Sequence, residues 1–244
     1  MTNLQERFQE VQKSKDPEEF NNFLIEISKN LTKESSTIVR AIVNDLELDL
    51  LEKIKLNLVY VIGELGEKYS IENSLYNFLL DSYFNSDRWI REEILQALIK
   101  ISKTLSYTEA LSKILKFALN EDYKPIKLKA LKILQLLGKI PHSFIIILLK
   151  LLGSADSEID NISIQLFQSL IPNEKTLFEY LNSNHNYQLL NKNNIRILLI
   201  TYLNSVSDIE VYMKKINAFS WEKKFKDLFI DEMNIYRRIL TRKF

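Results

Sequence analysis

The stretch Trp89–Ser102, WIREEILQALIKIS, comes back along the chain. PIKLKALKILQLLG stands at 125–138 and KIKLNLVYVIGELG at 53–66. The frame is an apolar residue, a basic one next to it, then small or apolar residues at helical spacing, often closed by Gly or Ser. The opening apolar residue is Ile54, Ile90, Ile126, Ile159 and Ile195, in steps of 36, 36, 33 and 36. The residue after it is Lys55, Arg91, Lys127, Asp160 and Arg196. An Asp stands three to five places before the Ile in four units, at Asp49, Asp87, Asp122 and Asp156. Phe20 lies 34 residues before Ile54 and Phe225 lies 30 after Ile195, so degenerate units extend the array at both ends. A period of this length is one supersecondary unit that cannot bury its apolar face alone and must stack on its neighbours.

Each unit reads as two amphipathic helices. The spacing predicts helices over 2–13, from Asp16-Pro17 to about 31, and over 35–46, 50–69, 71–84, 89–102, 107–119, 124–138, 141–152, 158–171 and 173–181. Three more follow over 190–206, 208–216 and 221–240, and 182–188 reads as a loop. Asp16-Pro17 is a start signal, an Asp cap followed by Pro in the first turn. Strand-rich folds need many tight turns, and the 244 residues hold only four Gly and four Pro. No stretch alternates apolar and polar between hairpin signals.

The turn Asp, the apolar–basic pair and the Leu-rich helix resemble the HEAT repeat. That resemblance covers 34–206 in register and implies an all-α fold, an α-solenoid of about seven HEAT-like helical hairpins wound as a curved right-handed superhelix. The whole chain, 1–244, reads as one repeat domain: 1–33 an N-terminal capping pair, 34–206 the core repeats, 207–244 the C-terminal capping helices. The resemblance also implies that Asp87, Arg91, Asp122 and Lys127 tie adjacent turns together. Asp160, standing where a base belongs, interrupts this ladder.

Chemistry-bearing constellations are missing. The sequence has no Cys, which removes disulfides, thiolate metal sites and a cysteine nucleophile. His142 opens a helix and His185 sits in a polar loop, and neither has a ligand companion at helical spacing. No phosphate loop, nucleophile elbow or dinucleotide fingerprint occurs. Gly63 and Gly66 lie on one helix without the flanks of a phosphate loop, and Gly66 suits a helix end or close packing. Trp89-Ile90-Arg91 is similar to the Trp–Arg pair of HEAT-like DNA glycosylases. Those enzymes also need a Trp and a carboxylate one repeat upstream, and Ile54-Lys55-Leu56-Asn57-Leu58 supplies neither. A bilin-lyase-like reading has no residue to carry it. The chain is therefore expected to be no enzyme and to use no cofactor or metal.

Net charge is +1, yet 101–150 holds nine basic residues against three acidic ones. In HEAT-like stacks the second helix of each pair lines the concave face. Lys129 and Lys132 then look into the groove, with Glu93 and Gln96 as their equivalents one unit earlier. The groove is expected to run from acidic or neutral near the N-terminus to basic in the middle. A scaffold or adaptor holding a protein or peptide there is the first reading. A nucleic-acid binder using the central and C-terminal lysines is the second, weakened by the few aromatics among those lysines. Over 221–240 the apolar residues Trp221, Phe225, Leu228, Phe229, Met233, Tyr236 and Ile239 are expected to cap the solenoid. A face wider than a cap needs would bind a partner or a membrane surface. The N-terminal stretch has no apolar core and does not read as a signal peptide, and the longest apolar run, around 143–149, is too short for a membrane span. The expected location is cytoplasmic.

Overall fold

A computed structural model describes residues 4–101 and 107–242. They are all-helical, with no strand among them. The chain forms two compact units, residues 1–138 and 139–244.

The first unit holds α1 (Leu4–Ser14), α2 (Pro17–Lys29), α3 (Lys33–Asp45), α4 (Leu48–Lys68), α5 (Asn73–Ser82), α6 (Arg88–Lys100), α7 (Glu109–Asn120) and α8 (Lys124–Leu137). The expected starts at residue 2 and the closing Ser102 lie outside the described residues. Each even helix packs on the odd helix before it. Odd helices also pack on the next odd helix, α1 on α3, α3 on α5 and α5 on α7, and even ones on the next even, α2 on α4, α4 on α6 and α6 on α8. The unit is two rows of helices with the core between them.

Local chemistry sets the helix starts. Asp16 accepts from the Glu18 N–H, Asp87 from Ile90 and Thr108 from Leu111, and Thr32 and Ser35 form a reciprocal capping box. Each cap satisfies backbone donors that the first turn leaves open. Gly138, at φ 66°, ends α8 in the left-handed region that glycine reaches without strain. Glycine acts differently inside α4, which runs on through both of its glycines. A Cβ on Gly63 would stand 3.0 Å from the Ala97 backbone, and one on Gly66 would overlap the Ile101 side chain. These two positions let α4 and α6 approach closely, and neither ends the helix.

The second unit holds α9 (Ile145–Leu151), α10 (Ser157–Leu170), α11 (Glu174–Asn182), α12 (Lys192–Tyr202), α13 (Val206–Ala218) and α14 (Lys223–Arg242). The apolar run expected as one helix from Pro141 opens instead with a 3-10 turn, His142–Phe144. Residues 183–189 form a 3-10 stretch where a loop is expected, kinked at Asn184 and His185, both at positive φ. The helix expected over 190–206 spans only α12. It starts at the Asn191–Asn194 capping box and stops before Leu203, and Ser205 then caps α13.

α9 packs on α10 and α12, and α14 on α12 and α13. Aromatic rings fill this core. Phe178 stacks on Tyr212 at 4.3 Å and Tyr187 on Trp221 at 4.8 Å, while the Trp221 indole N–H donates to Asn182. No helix among the described residues is long and apolar enough to cross a membrane.

Candidate functional site

The row α2, α4, α6 and α8 carries all four expected partner-binding residues. A 36-residue step moves one helix along the row, and side chains pair at that step. The Asn57 amide donates to Asn21 Oδ1 at 2.8 Å, 36 residues apart. Lys100 pairs with Glu64, again 36 apart, and Lys129 with Glu92 at 2.8 Å, 37 apart. The second unit repeats the pattern between α12 and α14, where Arg196 holds both oxygens of Glu232 from 36 residues away.

Glu93 lies half-buried among these pairs. Burial pushes its carboxyl above the usual carboxylate range. Lys100 and Lys129 pull it back down, and Glu92 and Glu64 push it further up. Gln96, one turn on, is half-buried and Lys132 is exposed. The row therefore brings Glu93, Lys129 and their neighbours into one network of three carboxylates and two ammonium groups. Lys132 stands at its edge. Acidic and basic groups interdigitate across this part of the row, so the expected passage from acidic to basic is not what α4, α6 and α8 present. Part of the basic excess is neutralised on the spot, since Lys129 is held by Glu92 and Lys113 by Glu109.

The expected ladder is replaced by a different one. Asp87 and Asp156 cap their own helices, and Asp49 lies within the first turn of α4. An Asp directly before a helix reaches that helix's own N–H groups. Arg91 pairs with Glu121 rather than Asp122 and donates to the Ser86 carbonyl. Lys55 is buried and pairs with Glu52 on its own helix. Asp160 accepts from the Gly153 N–H at 2.7 Å, which closes the turn before α10.

Two aromatic residues belong to this site that the sequence reading assigned elsewhere or passed over. Trp89, which the sequence offered as half of a Trp–Arg pair, is 59% exposed. It lies on the same stripe of α6 as Glu93, Gln96 and Lys100, at helical steps of four, three and four. Tyr60, one 36-residue step before Gln96, is exposed on α4 and lies under the Lys100 ammonium at 5.1 Å. The same step that aligns the isoleucines would have found Tyr60. The Trp–Arg pair does not act as a pair: Arg88 lies over the Trp89 ring, while Arg91 lies over Phe117 and is engaged by Glu121. His142 is exposed, and His185 contacts only its neighbour Tyr187, at 3.3 Å from the hydroxyl, among its side-chain hydrogen bonds within the described residues.

No family model, curated protein or solved structure matches the chain.

Proposed function

We propose that the chain is an α-solenoid of about seven HEAT-like hairpins in a right-handed superhelix, and that it works in the cytoplasm as a non-enzymatic scaffold. Its partner is a protein or peptide lying across the α4–α6–α8 row. One observation carries this reading: exposed Trp89 and Tyr60 stand among charges that are already paired within the row. Large, rigid aromatic side chains ringed by polar groups are the usual anchors of protein interfaces. Glu93, Gln96, Lys129 and Lys132 then set orientation and specificity around the anchors.

Nucleic acid is the weaker reading. Glu64, Glu92 and Glu93 stand on the same face and repel a phosphate backbone. The test is affinity capture with the full chain against a Trp89→Ala/Tyr60→Ala double variant. A protein retained by the wild type and lost by the variant supports the scaffold. Recovery of nucleic acid alone, released as salt rises, would replace it with the second reading.

A further inference from the structure

The outward face of α14 carries a pattern that its own helix does not explain. Leu228, Glu232, Ile235 and Ile239 follow steps of four, three and four along one seam. Ile235 is 44% exposed, Ile239 47%, and Ile200 on neighbouring α12 57%. Together with Leu199 and Tyr236 they line a cleft of about 250 Å³. Ile239, expected to face inward as part of a cap, is therefore on the surface. The one acidic residue of the seam, Glu232, is 3% exposed and neutralised by Arg196 at 2.6 and 3.1 Å, so the seam is apolar and closed at its polar end.

Charge beside the seam is segregated. Asp227 and Asp231 flank its first half and Arg238 and Arg242 its second, all four exposed and without an ion pair among the described residues. Within one helix this order is unfavourable, because like charges four residues apart repel. The helix dipole favours Arg242 in the last turn but not Lys223, Lys224 and Lys226 in the first, so it accounts for only part of the order.

We propose that this face docks a second copy of the same chain, the two α14 helices lying antiparallel about a twofold axis. An axis between Asn234 and Ile235 puts Asp231 opposite Arg238 of the second copy and Asp227 opposite its Arg242. Arg238 and Arg242 each meet an Asp, twice over in the dimer, and the two Ile235 side chains meet near the axis. Asp231 and Arg238 each directly precede a seam residue, the flanking position that pairs with its own counterpart when two helices run antiparallel. A self-complementary patch of this kind is what a closed twofold dimer requires. A membrane surface is a poorer occupant, because Asp227 and Asp231 would face anionic headgroups.

The test uses the full chain in sedimentation equilibrium from about 1 to about 300 µM, a range that brackets a micromolar dimer. The wild type is expected to pass from monomer to dimer. Arg238→Glu/Arg242→Glu gives an all-acidic rim and Asp227→Lys/Asp231→Lys an all-basic one. Each is expected to weaken self-association at least tenfold with helicity unchanged, and an equimolar mixture to associate as a one-to-one heterodimer. A wild type that stays monomeric throughout overturns the proposal. So do single-sign variants that dimerise as the wild type does, or a mixture that fails to associate.

Discussion

Lys129 Nζ lies 2.8 Å from Oε1 of Glu92, joining α8 to α6 across 37 residues of chain, with about four-fifths of each side chain shielded from solvent. A lysine that reads in sequence as a groove residue is therefore also a structural tie. Lys132, one turn on, is exposed. The two lysines separate under mutation. Lys129→Glu sets a fourth carboxylate among Glu64, Glu92 and Glu93 and is expected to cost about 2 kcal/mol, between surface and buried ion-pair values. Lys132→Glu is expected to stay within about 0.5 kcal/mol of wild type. Urea melts check both, and binding losses from Lys129 variants need that correction.

Glu93 gives a pH signature. Burial raises its folded-state pKa, so its ionisation works against the fold, and that cost is absent in acid and grows as pH rises through the raised pKa. Glu93→Gln removes the charge. The variant is expected to melt higher than wild type at neutral pH. Its advantage should fade as the pH falls through the raised pKa and be gone below the ordinary glutamate pKa of about 4.3. A variant that melts lower at neutral pH and equal in acid would show that Lys100 and Lys129 dominate.

Trp89 is exposed, so its removal separates binding from stability. Trp89→Ala is expected to leave the melting curve within about 0.5 kcal/mol of wild type. Once a partner is in hand, affinity should fall about 30-fold, the equivalent of losing a 2 kcal/mol anchor. Titration calorimetry reads the second quantity and differential scanning calorimetry the first.

The close approach of α4 to α6 is tested at Gly66. A side chain there overlaps Ile101, so Gly66→Val is expected to lose about 1–3 kcal/mol from overpacking. Valine recovers little helix propensity to offset it. Gly66→Val melting at or above wild type would mean that the two helices can separate without loss.

Ser163 points the other way. Its hydroxyl is fully buried with no hydrogen-bond partner among the described residues, at a position where the unit before it has Ala130. Ser163→Ala should stabilise the second unit by about 1 kcal/mol, the order of an unsatisfied buried polar group. Chemical denaturation detects a gain of that size.

Helices and core were largely legible because both follow from a 3.6-residue period that the sequence carries in full. Ile54, Ile126, Ile159 and Ile195 are buried as the register requires, and Ile94, Ala97, Leu98 and Ile101 line the core side of α6. Ile90 is only half-buried, while Leu95 and Leu131 are fully buried. α6 touches its hairpin partner α5 and two row neighbours, α4 and α8, so it buries more than one stripe. Helix ends were read least well where a cap decided them, as at Asn191.

The site was legible by position and not by partner. Glu93, Gln96, Lys129 and Lys132 do lie on α6 and α8 as the register has it. Whether a lysine is engaged depends on the reach of a Glu one helix away, and on a backbone spacing that residue types do not encode. Arg91 engaging Glu121 and not the neighbouring Asp122 is the same effect: Glu121 is half-buried beside it and Asp122 is exposed.

The cross-ties described above step forward by 39 residues or fewer, from Asn21–Asn57 to Asn182–Trp221. A polypeptide emerging from the ribosome would thus have nearly every upstream tie satisfied once the following 40 or so residues had appeared, about 2–8 s at ordinary rates of synthesis. Contacts this local also favour rapid folding of the free chain. Assembly can keep pace with translation, and little of the apolar surface between rows need wait uncovered for the far end of the chain to be made.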